Sequence, residues 1–460
     1  MTTKIWKFEA VLKNRKWISP GYTIVTNDGK ISDVRSSLPP GKNIDENISG
    51  YFIPGFRNTH SHAFQYAMAG LTENITSEGL QDNFWTWREK MYSLALKISP
   101  DQLEALATFL YCEMLKNGYT HVVEFHYLHH DTNGQVFNNP AEMSVRLMNA
   151  AKKARINLTL VPIFYQRSGF CEESHSRQKR FLLKNTNEYF KFLDFVKSYA
   201  KSYPNVKVAA GIHSLRAVSP DDVKATCANL NPKTPFHIHI SEQLKEVEEC
   251  KQFLKKSPIE WLVDNTNVNE YFNLIHATHI SQEEMSAIIQ TNANIVLCTT
   301  TEANLGDGLF PFKNYNEKSG RWTIGSDSHI GLSPLEELRW LDYLERLNNH
   351  ERNPLCKIEL DDSGDLLYHR SLKNSRFALG VDGEWQFKEH DFLTGIVINN
   401  NHPLFYGKPK ESILSTFIFS GNSSHLLGVI MEGDWIVIEG KHKYKSSIIK
   451  EYMKQMPVIL

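Results

Sequence analysis

The sequence has little of what marks a secreted, membrane-spanning or disulfide-built protein. Its 460 residues include only six cysteines, which lie far apart and form no CxxC pair. That usage suits reduced thiols in the cytoplasm. No apolar run approaches the roughly 20 residues of a membrane span, and the opening stretch MTTKIWKFEAVLKN lacks the apolar core of a signal peptide. We therefore expect a cytoplasmic protein with no membrane partner.

An excess of charge of one sign is also lacking. The 51 basic and 52 acidic residues nearly cancel, and neither sign forms a long run. A nucleic-acid partner would call for a basic face, and an interaction tail for a block of like charges. The composition therefore argues against nucleic acid and favours a small polar ligand.

Eight apolar segments, each followed by a stretch with helical patterning, fill the middle of the chain. These strand candidates are residues 51–58, 120–127, 158–165, 206–213, 236–241, 273–280, 294–300 and 322–329. Ser99 with Pro100, and later Ser281, carry helix-start signals between them. Eight successive β–α units predict an α/β protein with a (β/α)8 TIM barrel, which we place at residues 54–375.

Strand-like segments return at both ends of the chain. The first fifty residues contain KIWKFEAVL and a turn signal at Asp28-Gly29, and the last part contains TGIVINN and LLGVIMEGDWIVIEGKHKY before a closing helix near 446–455. We predict that residues 1–53 and 376–460 form one small β-sandwich domain. The chain would leave that domain to build the barrel and then return to it.

Polar side chains stand at almost every predicted strand end, where a barrel of this type has its active site. They are His60, His62, Glu124, His126, Tyr127, His213, His239, Glu242, His276, His279, Asp327 and His329. A lone histidine at a strand end is more often structural than a ligand. His60 and His62 differ, because residues i and i+2 of an extended segment point to the same side.

Three imidazoles and one carboxylate from separate strand ends predict a catalytic site for one divalent metal ion. We assign His60, His62, His239 and Asp327 as its ligands. Imidazole donors favour zinc, with Fe²⁺ as the alternative. No lysine stands at a predicted strand end to bridge a second ion. His276 stays open at this point, as a fifth ligand or as a group that hydrogen-bonds the water on the metal.

A water activated by such a metal needs groups that carry its protons. Asp327 can accept the first proton, and Glu242, three residues beyond His239, can pass a proton to a leaving nitrogen. The structural alternative for Glu242 is a carboxylate that favours the start of the following helix. Glu246, Glu248 and Glu249 could fill that role instead. We therefore favour the catalytic interpretation of Glu242.

Six segments of the sequence resemble the amidohydrolase superfamily. They are HSHAFQYAMAGLTE (60–73), FWTWREKMY (84–92), GIHSLRAV (211–218), HIHISEQ (237–243), CTTTEANLGDG (298–308) and GSDSH (325–329). HSHAFQ and TTEANLGDG are most similar to the branch that removes the formimino group of N-formimino-L-glutamate. Thr299 departs from that branch, which has proline at this position.

The resemblance implies a reaction, a cofactor and an assembly. The reaction is hydrolysis of formiminoglutamate to formylglutamate and ammonia in histidine degradation, with one zinc ion per chain in a homodimer. The zinc ligands would be the four residues assigned above. Glu242 and His276 would act in proton transfer and in positioning the water, which makes His276 a catalytic residue and not a ligand.

A dianionic substrate also needs groups that bind its carboxylates. An arginine fork donates two parallel hydrogen bonds to a carboxylate, a geometry that lysine cannot copy. The resemblance assigns Arg88, Tyr127 and Arg216 to the glutamate portion of the substrate, together with Gln65 and His213. Arg88 belongs to residues 80–95, which could fold over the mouth as a lid.

Two other functions stay open at this point. A related amidohydrolase that deaminates a purine, a pyrimidine or a guanidine-like group would need aromatic side chains to stack on its substrate, and Trp85 and Trp87 are candidates. A non-catalytic barrel acting as a scaffold would be expected to have lost some of the six metal and catalytic residues, and all six are present. The sequence also leaves formiminoaspartate open, because one methylene changes discrimination by only about 1–3 kcal/mol.

Overall fold

The computed structural model describes residues 3–73, 83–356, 362–381 and 387–456. Its strands in these ranges are β1 Thr3–Lys13, β2 Lys16–Ile18, β3 Gly21–Thr26, β4 Ile31–Arg35, β5 Glu46–Pro54, β6 Phe56–Ser61, β7 Tyr119–His126, β8 Asn157–Phe164, β9 Val206–Val208, β10 Ala210–Ile212, β11 Phe236–Ile240, β12 Phe272–His276, β13 Asn294–Leu297, β14 Arg321–Ile324, β15 Gly395–Asn399, β16 Leu426–Met431, β17 Asp434–Ile438 and β18 Lys441–His442.

The α-helices in the same ranges alternate with the central strands. They are α1 Phe84–Ala95, α2 Pro100–Lys116, α3 Glu142–Ala154, α4 Thr186–Ala200, α5 Pro220–Asn229, α6 Leu244–Leu254, α7 Pro258–Asn265, α8 Gln282–Thr291, α9 Thr299–Leu305, α10 Phe312–Glu317, α11 Pro334–Asn349, α12 Ser363–Leu379, α13 Ile413–Ser420 and α14 Lys445–Gln455. The helix starts follow the sequence signals. Ser99 caps α2 and Ser281 caps α8, each in a reciprocal capping box with the third residue of its helix.

The central strands form the predicted barrel. Their order is β6, β7, β8, β10, β11, β12, β13 and β14, all parallel, and β9 pairs with β8 just before β10. The fourth predicted strand is thus split at Ala209, whose N–H still donates to Leu160 O at 2.9 Å. All eight residues of β7 are buried, as expected for a strand covered on both faces.

The barrel closes at its mouth through the backbone of the predicted metal ligands. The Asp327 N–H donates to His60 O at 3.0 Å, and the His62 N–H donates to Asp327 O at 3.1 Å. Asp327 follows the last strand and the two histidines end the first. The same contacts therefore join the first and last strands of the barrel and hold the three predicted ligands together.

The terminal strands form a separate sheet, as predicted. Its order is β18, β17, β16, β15, β5, β1, β3 and β4, with β2 paired to β1. The sheet curls so that the turn at Gly29 meets the turn between β16 and β17. A Cβ atom on Gly29, which has φ +80°, would lie 2.0 Å from Glu432 O, so only glycine fits there. Phe8, Phe52 and Phe387 stack in the enclosed core.

Helix α12 lies across the amino end of the barrel. The Tyr368 hydroxyl donates to Pro54 O at 2.7 Å, and the Thr159 hydroxyl donates to Leu379 O at 2.9 Å. Helix α12 continues past residue 375, to Leu379. The domain limits at 53/54 and 375/376 stay a prediction. All six cysteines are free thiols. Within the described ranges no helix combines the length and the apolar character needed to cross a membrane.

Candidate metal centre and active site

The four predicted metal ligands converge below the mouth of the barrel. Asp327 Oδ1 lies 3.0 Å from His60 Nε2 and 3.2 Å from His62 Nε2, and His239 Nε2 lies 3.1 Å from His60 Nε2. All four side chains are buried, and one ligand atom of each lies within 4.8 Å of the others. One point thus receives potential ligand atoms from the end of β6, from β11 and from the loop after β14.

The hydrogen bonds of the rings leave the converging nitrogens as electron-pair donors. His62 Nδ1 contacts Phe125 O at 3.0 Å, and His239 Nδ1 contacts His213 O at 3.1 Å. A carbonyl can only accept, so each Nδ1 carries the proton and each Nε2 of a neutral ring holds a lone pair. Burial lowers the pKa of His60 to about 3 and that of His239 well below its usual range, and each has a neighbouring imidazole as the next cause. Lone pairs that face a carboxylate oxygen fit a cation between them.

The backbone at three strand ends is left-handed, which points the functional side chains inward. Positive φ angles occur at Ser241 (52°), His276 (69°), Ala277 (51°), Asp327 (46°) and His329 (66°). Such angles are unfavourable for residues other than glycine and persist where the surrounding structure holds them. Five such residues therefore lie at the mouth, beside or among the predicted site residues.

Glu242 and His276 form a second polar group beside the metal ligands. His276 Nε2 lies 3.7 Å from Glu242 Oε1, and His276 Nδ1 lies 3.1 Å from Glu302 Oε1. Burial would lower the pKa of His276, but Glu242 and Glu302 outweigh it and raise that pKa to about 10. Burial raises the pKa of Glu242 to about 7 against the opposing charge of His276. A carboxyl group with such a pKa can both accept and donate a proton near neutrality.

The structural alternative for Glu242 finds no support in the following helix. Helix α6 begins at Leu244, and Glu246 is the acidic residue of its first turn. Glu246 Oε2 also accepts from the Glu242 N–H at 3.0 Å. The carboxylate at the helix start is therefore Glu246, and Glu242 faces the mouth.

Glu302 was not among the sequence-predicted site residues. It lies in α9, is buried, and accepts from the Cys298 N–H at 2.9 Å with the same oxygen that contacts His276. Its place in CTTTEANLGDG was the only sequence signal. That signal does not show contact with His276, which is 26 residues away in the chain.

The predicted substrate-binding residues line one cavity with most of the predicted metal and catalytic residues. The predicted residues around this cavity are His62, Gln65, Arg88, Tyr127, His213, Arg216, His239, Glu242, His276 and Asp327. His60 lies beneath them and is fully buried. Gln65 Nε2 donates to the Tyr127 hydroxyl at 3.0 Å, while Gln65 Oε1 is buried without a partner.

Two arginines reach this cavity with donors that no described protein group satisfies. Arg216 Nη1 and Arg88 Nε are both buried and lack a hydrogen-bond partner. Arg88 belongs to α1, which also contributes Phe84, Trp87 and Met91 to the wall of the cavity. Helix α1 thus lies against the mouth where a lid was expected, although residues 80–82 of that segment lie outside the described residues.

One of the two tryptophans predicted as candidates to stack on a base, Trp85, is covered by cations. Arg88 lies 4.5 Å from the Trp85 ring centroid, Lys245 lies 4.6 Å from it and Arg216 lies 5.6 Å from it. Trp85 therefore orients the two arginines through cation–π contacts. Trp87 packs near Phe84, with ring centroids 6.1 Å apart.

Two other polar residues at the strand ends are structural. Glu124 accepts from the Ser61 hydroxyl at 2.7 Å and from the Ala63 N–H at 2.6 Å, so it holds the chain on both sides of His62. Burial raises the pKa of Glu124 to about 8. His329 contacts the Ser326 hydroxyl at 2.9 Å and the Ser61 hydroxyl at 3.3 Å. Both residues brace the ligand-bearing segments.

Fold and site together define a (β/α)8-barrel protein with a group of three histidines and one aspartate that could hold a metal ion at its mouth. Residues 51–361 match the model of the amidohydrolase family. The chain belongs to the amidohydrolase family, and the resemblance carried by the six sequence segments is confirmed.

Relatives cover almost the whole chain. Formimidoylglutamate deiminase of Pseudomonas aeruginosa is 37% identical over 440 residues, 95% of each chain. A crystal structure of an amidohydrolase from Brucella melitensis superposes with a TM-score of 0.91 at 34% identity, over 99% of each chain. A 5-methylthioadenosine/S-adenosylhomocysteine deaminase of Thermodesulfovibrio yellowstonii is 22% identical over 434 residues, 92% of this chain and 90% of that one.

Proposed function

We propose that this protein hydrolyses N-formimino-L-glutamate to N-formyl-L-glutamate and ammonia, with one zinc ion per chain. The observation that carries the proposal is the pair Arg88 and Arg216, which have buried donors without a partner and line the same cavity as the metal-binding group. Two guanidinium groups suit a substrate with two carboxylates. The 37% identity to the deiminase of Pseudomonas aeruginosa supports the same substrate.

Zinc is the proposed metal because the donor set is three imidazoles and one carboxylate. His60, His62, His239 and Asp327 would hold it, and Fe²⁺ is the alternative for the same donors. A zinc ion supplies a Lewis acid that lowers the pKa of a coordinated water towards about 7. His276 is proposed as a catalytic residue and not a ligand, because its two ring nitrogens face the carboxylates of Glu302 and Glu242.

The proton movements follow from the positions of three side chains. Asp327 accepts one proton of the attacking water, and protonated Glu242 gives a proton to the terminal imino nitrogen as the water oxygen bonds to the formimino carbon. Glu242 then takes the remaining hydroxyl proton and Asp327 returns its proton to the same nitrogen, so that the C–N bond breaks, the formyl C=O forms and ammonia leaves. His276 Nε2, 3.7 Å from Glu242 Oε1, positions the water and the carboxyl group, while Glu302 fixes the other side of the ring.

The substrate is held at the end remote from the reacting carbon. Arg88 and Arg216 bind its carboxylates, and Trp85 keeps both guanidinium groups in place. Tyr127, Gln65 and His213 complete the polar wall. Fixing the glutamate portion places the formimino carbon near the attacking water. Part of the binding free energy thereby offsets the entropy cost of orienting the reactants, which raises kcat.

A nucleobase deaminase is the competing function within the family. It would need an aromatic face for a base. Of the two candidates, the Trp85 ring is covered by Arg88, Lys245 and Arg216, whereas Trp87 lines the cavity. The two arginines with unpartnered donors favour the deiminase. We further propose that the protein is cytoplasmic, because its cysteines are free thiols. We also propose that it forms a homodimer, as the family resemblance implies.

An ammonia-release assay tests the proposed function. The purified chain, loaded with zinc, is given formiminoglutamate, formiminoaspartate, adenosine and guanine in parallel, and the metal content of the same sample is measured. We expect saturable ammonia release from formiminoglutamate and at least about tenfold lower kcat/KM with the aspartate analogue. Release from adenosine or guanine without release from formiminoglutamate would overturn the proposal.

A further inference from the structure

A second cavity, of about 440 Å³, lies at the amino end of the barrel, away from the metal-binding group. The start of β14, the turn between β1 and β2 and one side of α12 form its walls. Five of the side chains around it are cationic, namely Arg15, Arg321, Arg370, Lys373 and Arg376. No carboxylate stands among the described residues that line it. The chain as a whole has a net charge of −1, so this concentration of positive charge is local.

Two of the five cations have protein partners. Arg15 Nη2 pairs with Asp365 Oδ2 at 2.5 Å, at the rim of the cavity, and Arg370 Nη1 donates to Asn316 O at 2.9 Å. Arg15 also has φ +62°, a backbone conformation that favours glycine. The strained turn and the ion pair fix one edge of the cavity against α12.

The other three cations have no carboxylate within ion-pair distance among the described residues. Arg321 and Arg376 both lie against the Phe377 ring, at 4.7 Å and 4.6 Å from its centroid. Both guanidinium groups thus contact the same ring in spite of their like charge. Burial lowers the pKa of Arg321, Arg376 lowers it further, and Glu270 offsets part of the shift.

Buried donors distinguish this cavity from an ordinary basic surface. Arg321 Nη1 and Arg376 Nε are buried and have no hydrogen-bond partner in the described part of the chain. Solvated lysines and arginines on a surface keep such atoms in water. A buried donor without a partner is unfavourable unless a ligand satisfies it.

We propose that this cavity binds a small oxyanion with two or more negative charges. The guanidinium groups of Arg321 and Arg376, oriented by Phe377, donate to the oxygens, and Lys373 adds charge at the exposed side. A phosphate group and a dicarboxylate share this chemistry, because the arginine fork fits either. The proposal is independent of the reaction at the mouth of the barrel.

Calorimetric titration of the zinc-loaded chain tests the site, with inorganic phosphate and succinate as the probes at matched ionic strength. We expect saturable binding of at least one probe, and the tighter one identifies phosphate or carboxylate as the favoured group. In the variant Arg321→Gln/Arg376→Gln the affinity should fall at least about tenfold, since two charge-assisted contacts are lost. The control Arg35→Gln removes an exposed arginine paired with Asp33 and should leave the affinity unchanged.

Several outcomes would overturn the proposal. One is the absence of saturable binding, and another is equal affinity for wild type and the double variant, which would assign the anion to the arginines at the mouth. If circular dichroism shows that the double variant does not fold, Lys373→Gln replaces it, because that side chain is exposed. A severalfold weaker affinity in Lys373→Gln supports the site, and an unchanged affinity contradicts it.

Discussion

The two ends of strand β11 use the same residue type for opposite purposes. His237 and His239 are both buried and stand two residues apart. His237 Nε2 contacts Ala378 O of α12 at 3.1 Å, so its ring ties the strand to a helix. His239 Nε2 instead faces His60 Nε2 at 3.1 Å, within the metal-binding group. Burial alone therefore does not mark a functional histidine; the identity of its partner does.

The same contrast extends through the barrel interior. Near its amino end Asn294 Nδ2 donates to Asn273 Oδ1 at 3.1 Å and to Thr323 Oγ1 at 2.9 Å, so three strands share one hydrogen-bond network. At the mouth the buried atoms of Gln65 and Arg216 lack partners, and the backbone is left-handed at Asp327. At the amino end this network holds three strands together, whereas the unsatisfied groups at the mouth lie beside the predicted ligands, where a metal ion and a substrate can use them.

The largest effect should come from exchanging histidine at the two positions of β11. We expect His239→Asn to lower kcat/KM for formiminoglutamate at least about a thousandfold and to lower the zinc content, because one of four ligands is lost. His237→Asn is the matched control and should keep zinc and activity while losing about 1–3 kcal/mol of unfolding free energy. Ammonia release, metal analysis and denaturant unfolding measure the three quantities. Equal loss of zinc in both variants would contradict the contrast.

A second test separates substrate binding from metal binding at the mouth. Arg216→Lys keeps the charge but removes the planar fork, so KM should rise roughly a hundredfold while the zinc content stays unchanged. Steady-state kinetics and metal analysis on the same preparation give both values. A variant that loses zinc but keeps its KM would remove Arg216 from the carboxylate-binding role.

A smaller effect is expected from Glu302, which touches His276. Glu302→Gln keeps an oxygen that can accept from Cys298 N–H and His276 Nδ1 but removes the charge, so kcat should fall about tenfold with KM unchanged. The basic limb of the pH profile should shift to lower pH, because the carboxylate raises the pKa of His276. Glu284→Gln, a buried carboxylate that accepts from the Ser281 N–H, is the control and should leave the profile unchanged. An unchanged profile in Glu302→Gln would make its role only structural.

The last test concerns the pH dependence of stability and not activity, through a buried carboxyl group outside the predicted site. Glu337 accepts from Thr299 Oγ1 at 2.8 Å and from Thr300 N–H at 3.1 Å, and burial raises its pKa to about 8. The folded state thus holds the proton more tightly than the unfolded state, so its stabilising contribution is lost as pH rises from the unfolded pKa through about 8. Between these pH values wild type should lose up to about 1.4 kcal/mol per pH unit relative to Glu337→Gln. Urea unfolding across this range measures the difference, and parallel curves would contradict it.

Most of the fold could be predicted because its signals are local. Seven of the eight apolar segments overlap no strands but those of the barrel, and the first, 51–58, spans the end of β5 in the terminal sheet and the start of β6 in the barrel. The Ser99 and Ser281 caps matched helix starts, since capping residues act over a few neighbours. The break at Ala209 was not predicted, because an interrupted strand and a continuous strand have the same pattern of apolar residues. Glu302 was missed for a different reason: its partner His276 is distant in the chain, and nothing local distinguishes a helix carboxylate that touches a catalytic ring.

What the sequence by itself determined is the type of fold, the family and the set of side chains at the strand ends. Alternating apolar segments specify strands that must be covered, and parallel strands bring their carboxyl ends to one face. Only the tertiary structure decided which atoms meet. The distances between His60, His239 and Asp327, the partners of His276 and the shared contact of Arg321 and Arg376 with Phe377 depend on packing between distant segments. Asp327 and His60, for example, are 267 residues apart in the chain. Such contacts follow from the closed barrel and from no local pattern.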